Sequence, residues 1–463
     1  MTSYHNNFAP FRQRMEDEGQ PDLAIETFEY YYTKLVEQQT GLIPEADIQP
    51  VEFLPNVQSF PAELTERGKR AVSKTVLVKL NGGLGTSMGL DKAKSLLTVK
   101  NDLSFLDITA RQALESGISL VFMHSFATRD DSLAVLKQYP DLGRDIPLDF
   151  LQHKILKVTQ ADFSPATWPQ DPSLEWCPPG HGDLYTALIT SAMLDTLLRA
   201  GYEYAFVSNA DNLGAVMDTA LLGYFTENRL PFMMEVADRT PVDKKGGHLA
   251  QLPNGQLILR ELAQCSSDDV DAFQDIARHK YFNMSNLWLN LPVLQAFMTA
   301  NGNILGLPMI RNSKTVDPRN STSTPIYQLE TAMGSAIAIF KEAEAVCVPR
   351  TRFAPVKTTD DLLAVRSNAY VLTDNFQVVP HPARNLGQVI VTMDAAYYGL
   401  IDDMEARFPH GAPSLLECEH LQIQGDIKFG RNVILKGVVQ LVNESKQQVE
   451  IEDGTVIEGV WQR

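Results

Sequence analysis

Short apolar runs rich in β-branched and aromatic residues alternate with longer segments of helical periodicity from residue 75 onward. Short apolar runs between turn signals are typical of buried strands, and apolar residues at three- and four-residue spacing are typical of helices. The predicted strands are residues 76–80, 119–124, 204–208, 232–236 and 286–289. The predicted helices are residues 183–198, 328–340 and 359–365. This alternation predicts an α/β domain with a largely parallel sheet.

A hairpin and an N-terminal region interrupt this regular pattern. Pro253, Asn254 and Gly255 separate two apolar runs, which predicts a β-hairpin inserted into the domain. Before the first strand, residues 1–70 are predicted to be mainly helical and peripheral, with an apolar helical face in the aromatic segment 28–32. Prolines between residues 44 and 61 then predict an irregular connector.

The C-terminal part of the chain has a six-residue apolar period. The apolar residues at this spacing are Leu421, Ile427, Val433 and Val439, followed after a polar interruption by Ile451 and Ile457. Turn glycines lie between them, which is the pattern of a β-helix built from hexapeptide repeats. A β-helix coil does not bury its ends alone, so this segment is expected to stack on a second copy. An ordinary antiparallel β tail is the alternative.

Composition restricts the class of protein further. The chain has 463 residues and a formal net charge of −17, which argues against a nucleic-acid or anionic-membrane partner. Its four cysteines are far apart and include no C-x-x-C pair, so neither a zinc site nor a disulfide framework is expected and the cytoplasm is the predicted compartment. Residues 1–7 lack the basic and apolar regions of a signal peptide, and no apolar run approaches ~20 residues, so no membrane association is expected.

A glycine-rich segment follows the first predicted strand. Gly82, Gly83, Gly85 and Gly89 lie within eight residues, and Lys94 follows shortly after. Glycine permits positive φ and lets backbone N–H groups approach a ligand closely. A glycine-rich loop that leaves a strand is a common way to surround a phosphate with backbone donors. We therefore expect a phosphate-binding loop, with a purely structural tight turn as the alternative.

The spacing of the glycines excludes two common phosphate-binding motifs. A P-loop ending at Gly89 would need a glycine where Leu84 stands and a lysine where Leu90 stands. A dinucleotide-binding fingerprint that begins at Gly83 would need its third glycine at position 88, but Met88 stands there and the glycine follows at Gly89. The loop is therefore neither a P-loop nor a Rossmann dinucleotide loop.

A carboxylate and two helix starts are further candidate features. Asp211 follows the apolar strand at 204–208, so it is expected at the carboxyl end of the sheet, where ligands of open α/β sheets bind. A carboxylate there could hold Mg²⁺ against phosphate oxygens, although an Asp/Asn turn after a strand is an equally open reading. Asp183 and Thr359 are the expected N-caps of the helices that follow them.

The segment LNGGLGTSMG at 80–89, with Lys94 and Ser95, resembles the signature loop of the eukaryotic-type UTP–glucose-1-phosphate uridylyltransferase family. Further blocks resemble that family in family order. They are QHK at 152–154, PPGHGD at 178–183, SNADN at 208–212, KGG at 245–247, NMSNLW at 283–288, QLETAMG at 328–334 and RFAPVK at 352–357. The resemblance covers nearly the whole chain from about residue 20.

The resemblance implies a fold and a reaction. The fold is a Rossmann-like, glycosyltransferase-A-like nucleotidyltransferase domain with a mixed, mainly parallel sheet, followed by a left-handed β-helix. The implied divisions are a helical region at 1–70, a catalytic domain at 71–385 and an oligomerisation domain at 386–463. In the reaction, glucose 1-phosphate attacks the α-phosphorus of UTP in line, with Mg²⁺ present, and pyrophosphate leaves. The implied partners are UTP, a sugar 1-phosphate and further copies of the chain.

The resemblance also assigns residues, block by block. The catalytic, phosphate-binding lysines are Lys94 and Lys357. The nucleotide-binding residues are Leu80, Asn81, Gly82, Gly83, Gln152, Gly180 and Asp211, and Asp211 is also the Mg²⁺ ligand. The sugar-phosphate-binding residues are His181, Asn209, Gly247, Glu261, Asn283 and Ser285.

Two departures from the family pattern leave alternatives open. Ser285 stands where the family has a second sugar-contacting Asn, which shortens the side chain and removes a donor. The same chemistry on galactose 1-phosphate or an N-acetylhexosamine 1-phosphate is therefore the alternative substrate reading. Residues 91–93 lack the family's Gly-Pro before Lys94, and Lys92 adds a cation without an assigned role. A non-catalytic nucleotide-sugar-binding scaffold is the alternative of another class.

Overall fold

The computed structural model describes residues 7–90, 92–143 and 145–463. The α-helices are α1 (Ala9–Asp17), α2 (Asp22–Val36), α3 (Ala62–Ala71), α4 (Phe105–Ser116), α5 (Arg129–Leu136), α6 (Leu184–Thr190), α7 (Met193–Arg199), α8 (Thr219–Glu227), α9 (Val270–Gln274), α10 (Leu291–Ala300), α11 (Thr359–Arg366), α12 (Ala395–Tyr398) and α13 (Ile401–Arg407).

The strands of the first half of the chain are β1 (Gln49–Pro50), β2 (Thr75–Asn81), β3 (Thr98–Lys100), β4 (Leu103–Ser104), β5 (Ser119–His124), β6 (Asp149–Leu151), β7 (Ile155–Leu156), β8 (Val158–Thr159), β9 (Trp176–Cys177), β10 (Tyr204–Asn209) and β11 (Phe232–Asp238). Those of the second half are β12 (His248–Gln251), β13 (Leu257–Arg260), β14 (Tyr281–Asn290), β15 (Met309–Thr315), β16 (Pro325–Thr331), β17 (Glu344–Cys347), β18 (Tyr370–Leu372), β19 (Val378–Pro380), β20 (Ile390–Met393), β21 (Ser414–Gln424), β22 (Ile427–Phe429), β23 (Ile434–Val442), β24 (Val449–Ile451) and β25 (Val456–Gln462).

A ten-stranded mixed sheet forms the centre of the molecule, with the path β1-β12-β14-β10-β2-β5-β6. Strands β10, β2, β5 and β6 run parallel, whereas β14 is antiparallel to β10 and to β11. All of β2 is buried, because apolar residues cover both of its faces. The predicted α/β class with a mixed sheet is confirmed, and all five predicted strands are present.

The register of this sheet positions the candidate site. Leu80, at the end of β2, lies directly opposite Asn209, at the end of β10. The glycine-rich loop and the Asp211 loop therefore leave the same edge of the sheet side by side. The predicted hairpin is also confirmed: β12 and β13 pair antiparallel with Leu249 opposite Leu259, and Gly255 takes φ +87° in the turn.

Two predicted helices differ from the structure. The helix predicted at 183–198 is two helices, α6 and α7, because Ala192 takes φ +57° between them. The helix predicted at 328–340 is wrong. Residues Pro325–Thr331 form β16, paired on both sides with β15 and β8, and a 3₁₀ helix follows at Met333–Ala338. Pairing across distant sequence overrides the local helical spacing in this segment.

Both predicted N-caps are also corrected. Helix α11 begins at Thr359, but its N-cap is Thr358, whose hydroxyl accepts from the N–H of Asp361 in a capping box. Asp183 caps nothing with its side chain. Its carboxylate instead accepts the backbone N–H of His153 at 2.7 Å and faces the ring nitrogen Nδ1 at 2.9 Å. The Asp183 carboxylate therefore makes a tertiary contact with His153 and does not cap its own helix.

The C-terminal segment contains parallel sheets. Strands β20, β21, β23 and β25 form one four-stranded parallel sheet, and β22 pairs parallel with β24. Every apolar residue of the predicted six-residue period is buried. The parallel pairing contradicts an antiparallel tail. The domain boundaries at residues 70 and 385 stay predictions, as does the cytoplasmic location. Within the described residues, no helix has the length and apolarity needed to cross a membrane.

Candidate active site

Two adjoining cavities open at the carboxyl ends of β2 and β10. We call the first the loop-side cavity, because the glycine-rich loop lines it. Its predicted residues are Leu80, Asn81, Gly82, Gly83, Lys94, Gln152 and Gly180. We call the second the bulge-side cavity; its predicted residues are Gly247, Glu261, Asn283, Ser285 and Lys357. The predicted residues His181, Asn209 and Asp211 line both cavities. The fold thus brings every predicted site residue to one continuous cleft.

The glycine-rich loop presents backbone to the loop-side cavity. Gly85 and Gly89 take φ +68° and +78° and flank a 3₁₀ turn at Thr86–Met88. A Cβ on Gly82 would lie 2.7 Å from Oε1 of Gln152, whereas a Cβ on Gly83 would meet nothing within 4 Å. The loop is therefore tight at one glycine and open at the next, which leaves room for a ligand over Gly83.

The side chain of Asn81 holds the start of the glycine-rich loop through buried hydrogen bonds. It is buried, and its Nδ2 lies 3.1 Å from Nδ1 of His124 and 3.0 Å from the Ser132 hydroxyl. Burial lowers the pKa of His124 to about 4, so this imidazole is neutral. The backbone oxygen of Asn81 accepts from the Thr128 hydroxyl at 2.6 Å. Asn81 therefore anchors the loop, and its amide group does not point into the cavity.

Gln152 and Gly180 are hydrogen-bonded neighbours in the wall of the loop-side cavity. The Gln152 amide donates from Nε2 to the Gly180 carbonyl at 3.2 Å. Gly180 takes φ +82°, and a Cβ there would lie 2.5 Å from the backbone oxygen of Thr331. Only glycine fits between these two backbones. Gly180 thus fixes the wall of the cavity against β16.

Lys94 and Asp211 lie in contact where the two cavities meet. Lys94 follows the glycine-rich loop, and its backbone N–H donates to the carbonyl of Gly83 at 3.1 Å. Its Nζ lies 2.8 Å from Oδ2 of Asp211, and both side chains are only partly exposed. The pair balances one positive and one negative charge at the junction. A polyphosphate with its metal ion brings both charge types to the same place, so each partner could exchange the other for a ligand.

His181 offers a neutral hydrogen-bond donor to the cleft. The backbone N–H of Met333 donates to its Nδ1 at 2.9 Å, so Nδ1 accepts and Nε2 carries the proton. His181 is exposed to the cleft, and the partial loss of hydration beside the surrounding protein lowers the pKa of the imidazole to about 4. A neutral N–H donor at this point can bind a hydroxyl or a phosphate oxygen without adding charge.

Glu261 and Asn283 form the far wall of the bulge-side cavity. Burial raises the pKa of the Glu261 carboxyl, while a hydrogen bond from Asn283 and the charge of Lys357 act to lower it. A Cβ on Gly247 would lie 2.5 Å from Oε2 of Glu261, so the glycine makes space for this carboxylate. Hydroxyl groups, which donate to carboxylates and accept from amides, fit this wall.

Ser285 lies on a β-bulge in β14. The register between β11 and β14 shifts between Glu235 and Val236, so that residues 284 and 285 have no partners on β11. Ser285 takes φ +56°, and its N–H donates to Oδ1 of Asn283 at 2.9 Å. Asparagine and glycine adopt this conformation more readily than serine. The bulge turns the residue toward the cavity, as bulges near functional sites commonly do.

Lys357 stands at the entrance of the bulge-side cavity. Its side chain is exposed, and its Nζ lies 5.9 Å from the ring centre of Phe353. Its backbone N–H donates to Oδ2 of Asp361 at 2.7 Å, which ties it to the capping box of α11. The exposed lysine head therefore lines the cleft, while its backbone is held by Asp361.

A buried network joins the segments that carry Asp211 and Lys357. Oδ1 of Asn212 accepts the backbone N–H of Ala354 at 2.9 Å, and its Nδ2 donates to the carbonyl of Arg352 at 3.2 Å. Arg352 in turn pairs with the fully buried Glu235 through Nε and Nη2, at 2.8 and 2.7 Å. Burial lowers the pKa of Arg352 and the Glu235 carboxylate raises it, with a net increase.

Glu330 is a cleft residue that was not predicted. It lines both cavities from β16, and burial raises the pKa of its carboxyl. Its block at 328–334 resembles the family, but the apolar spacing of that segment predicts a helix. Alternate residues of a strand face opposite sides, so the side of the segment that lines the cleft follows only from the strand assignment.

The donor set at the junction fits a hard cation held jointly with a substrate. Within residues 7–90, 92–143 and 145–463, no group of three or more His, Cys, Asp or Glu side chains could hold a metal ion by itself. Mg²⁺ commonly binds one or two carboxylates and completes its octahedron with phosphate oxygens and waters. Asp211 supplies one such carboxylate.

Comparison with known proteins gives concordant results. A family described as UTP–glucose-1-phosphate uridylyltransferase matches residues 25–436. The chain is 39% identical over 405 residues to a probable UTP–glucose-1-phosphate uridylyltransferase of Schizosaccharomyces pombe, covering 85% of this chain and 79% of the relative. It is 38% identical over 417 residues to the Solanum tuberosum enzyme of that name, covering 89% and 84%.

Solved structures show the same likeness over the full length. A UDP-glucose pyrophosphorylase variant from Leishmania major in complex with UDP-glucose matches with a TM-score of 0.92 and 40% identity, covering all of both chains. A UDP-glucose phosphorylase from Trypanosoma brucei matches with a TM-score of 0.90 and 42% identity, covering 98% of this chain and all of the other.

Proposed function

Because this chain belongs to the UTP–glucose-1-phosphate uridylyltransferase family, we propose that it converts UTP and glucose 1-phosphate to UDP-glucose and pyrophosphate. The observation that carries this proposal is the junction of two cavities at Lys94, Asp211 and His181. One cavity offers loop backbone and an amide, as a nucleotide requires. The other offers a carboxylate and hydroxyl-binding groups, as a sugar requires.

The reaction needs positioning more than proton transfer. A phosphate oxygen of glucose 1-phosphate attacks the α-phosphorus of UTP, the bond between the α- and β-phosphates breaks, and the electron pair leaves with pyrophosphate. The nucleophile is already an anion, so no general base is required. Catalysis then consists of bringing two anions together and stabilising the charge that spreads over the transferring phosphorus. In our proposal, Lys94 and Lys357 supply this positive charge from opposite sides of the cleft.

The remaining cleft residues fit the two substrates. In our proposal, UTP lies against Leu80, Gly82 and Gly83, and the amide of Gln152 reads the edge of uracil. The pairing of this amide with Gly180 at 3.2 Å supports that reading, because it fixes the orientation of the amide plane. Asn81 acts through its backbone, since its side chain is buried behind the loop.

The sugar phosphate occupies the bulge-side cavity in this proposal. Gly247, Glu261, Asn283 and Ser285 surround the sugar. Asn209 and His181, which line both cavities, lie where its phosphate would meet the nucleotide. The neutral N–H at Nε2 of His181 then donates to an oxygen near the reacting phosphates.

We propose Mg²⁺ as the metal ion, with Asp211 as its protein ligand. When bound, the ion neutralises polyphosphate charge and orients the phosphates. Asp211 would exchange its contact with Lys94 for the ion, and Lys94 would turn its ammonium to the phosphates. The 2.8 Å pair supports this exchange, since both groups already lie at the junction.

A matched pair of loop variants tests the reaction. Lys94→Ala should lower the rate of pyrophosphate release from UTP and glucose 1-phosphate by at least about 100-fold, because it removes charge at the reacting phosphorus. Lys92→Ala, an exposed lysine two residues away, is the control and should retain most of the activity. Near-normal turnover of the Lys94 variant would refute the proposed role. Absence of pyrophosphate release by the unmodified protein with every sugar 1-phosphate would favour a non-catalytic binding scaffold.

Ser285 favours a second candidate, the same transfer with a broader sugar preference. Its hydroxyl is shorter than the family's amide, and Ser285 lines the bulge-side cavity together with Asn283. Comparing kcat/KM for the 1-phosphates of glucose, galactose and N-acetylglucosamine decides between the two. A preference for glucose below about tenfold supports the broader activity, and Ser285→Asn should then narrow it.

We also propose that the parallel C-terminal strands form a left-handed β-helix through which copies of the chain associate in the cytoplasm. The buried six-residue period and the two parallel sheets support this proposal. Val438 and Val460, on neighbouring strands of the larger sheet, are exposed apolar residues suited to such a contact. Light scattering tests it: the Val438→Asp, Val460→Asp variant should be a smaller particle than the unmodified protein.

A further inference from the structure

Lys79 is a buried lysine in strand β2, on the side of the sheet opposite Leu80. Its exposed fraction is 3%, and Leu77 on the same face belongs to an apolar cluster that also includes Phe122 and Phe206. Burying an ammonium group among apolar side chains is costly unless it is paired.

The Nζ of Lys79 makes two hydrogen bonds that span the loop carrying Asp211. It donates to the Ser208 hydroxyl at 2.7 Å and to the backbone carbonyl of Ala215 at 2.9 Å. Ser208 is the residue before Asn209, and Ala215 is the residue after Gly214. One amine therefore holds both ends of residues 209–214, which are the last residue of β10 and the five residues after it; we call this segment loop 209–214.

Among the described residues, other hydrogen bonds of this loop set its shape but do not join its ends in this way. The N–H of Ala210 donates to the carbonyl of Leu80 at 2.9 Å, and the N–H of Asn212 donates to the carbonyl of Asn209 at 3.2 Å. Asn212 attaches the outer side of the loop to Arg352 and Ala354. Lys79 supplies the attachment on the inner side, under the sheet edge.

We propose that Lys79 is a positioning residue that clamps the ends of loop 209–214 and so holds the Asp211 carboxylate at the junction of the two cavities. This inference rests on the proposed role of Asp211. Burial lowers the pKa of Lys79 to about 7. The clamp does not depend on the protonation state, because both the ammonium and the amine have the two N–H groups that it uses.

Lys79→Met tests the clamp, because methionine has a similar length and no donor. The first measurement is hydrogen–deuterium exchange of the unliganded protein. We expect exchange in residues 209–215 to become at least about tenfold faster, with the exchange of β5 unchanged. The second measurement is steady-state kinetics. We expect kcat to fall about 10- to 100-fold and the Mg²⁺ concentration for half-maximal rate to rise, while KM for glucose 1-phosphate changes less than about threefold.

A second buried lysine provides a matched control. Lys157 is 7% exposed and donates from Nζ to the carbonyl of Val316 at 2.8 Å, outside the residues that line the two cavities. Lys157→Met should leave exchange in residues 209–215 and the Mg²⁺ requirement unchanged. Ser208→Ala removes one of the two acceptors with little change in volume and should give a smaller effect in the same direction. It keeps the test decisive if the methionine variant fails to fold.

The outcomes separate this inference from the proposed function. Unchanged exchange in residues 209–215 of the Lys79 and Ser208 variants, or an equal acceleration throughout the protein, overturns the clamp. Wild-type turnover of an Asp211→Asn variant overturns the proposed metal role of Asp211 instead, while the exchange measurement still decides whether Lys79 holds the loop.

Discussion

The buried pair between Glu235 and Arg352 gives the largest predicted effect of a single conservative substitution. Glu235 is fully buried, and its carboxylate accepts four hydrogen bonds. Two come from Arg352, at 2.8 and 2.7 Å, and one each comes from Asn286 and Trp288, both at 3.0 Å. Glu235→Gln keeps the shape, but the new amide NH₂ faces donors and the guanidinium loses its counter-charge.

The expected magnitude follows from the burial of both partners. Breaking a buried ion pair by neutralising one member costs about 3–5 kcal/mol, because the other charge stays buried and uncompensated. At about 2–4 °C per kcal/mol for a large domain, the thermal midpoint should fall by roughly 6–20 °C. The backbone carbonyl of Arg352 also accepts a hydrogen bond from the side chain of Asn212, the residue after Asp211. A shift of Arg352 should therefore disturb Asp211, and the rate of pyrophosphate release should fall as well.

A surface pair of the same chemistry is the control for this prediction. Arg366 and Glu405 lie 2.9 Å apart, and Glu405 is 52% exposed. Glu405→Gln should cost less than about 1 kcal/mol, because solvent screens an exposed pair. Differential scanning calorimetry of the two variants gives the comparison. Equal midpoints for Glu235→Gln and the unmodified protein would refute the reasoning that burial controls the cost.

Three further predictions follow from the backbone and from the buried histidines. Gly180→Ala should weaken UTP binding measured by calorimetry at least about tenfold, because its Cβ would lie 2.5 Å from the Thr331 oxygen, while Gly83→Ala at an open position should weaken it less. Ser285→Gly should raise the thermal midpoint slightly, since it relieves a φ of +56° at a cost of about 1 kcal/mol or less. The pKa of His124 is about 4 in the folded protein and about 6.5 in the unfolded protein. The unfolded state therefore binds more protons between these two pH values. The free energy of unfolding, measured by urea denaturation, should fall as the pH drops from 6.5 to 4.

Local sequence patterns predicted the elements whose geometry is local. The strand at Thr75–Asn81 is marked by a continuous apolar run, and the hairpin around Gly255 by its turn residues. The spacing of the glycines is by itself enough to exclude a P-loop and a Rossmann dinucleotide-binding loop. The order of eight blocks indicated the family. The blocks after β2, β6 and β10 reach the cleft because the segments after parallel strands share one edge of the sheet, whereas the blocks in β14 and β16 reach it through antiparallel pairing.

Other features depend on residues far apart in the chain, and for these the local pattern was misleading. Segment 325–331 is a strand because β15 and β8 pair with it, although its apolar spacing suits a helix. Asp183 binds His153 instead of capping the helix after it. The place of Glu330 in the cleft does not follow from the sequence, because the side of the segment on which its side chain lies depends on the strand assignment.

The sequence by itself determined the fold class, the position of the glycine-rich loop directly after a buried strand, and the residue types available for nucleotidyl transfer. Spacing within a short segment encodes these, since backbone preferences and apolar periodicity act over a few residues. Only the tertiary structure decided that Lys94 contacts Asp211, that the Asn81 side chain turns away from the cleft, and that Lys79 spans the loop from Ser208 to Ala215. Those contacts join residues as far as 136 positions apart, and their geometry is set by sheet register and burial, which no local pattern specifies.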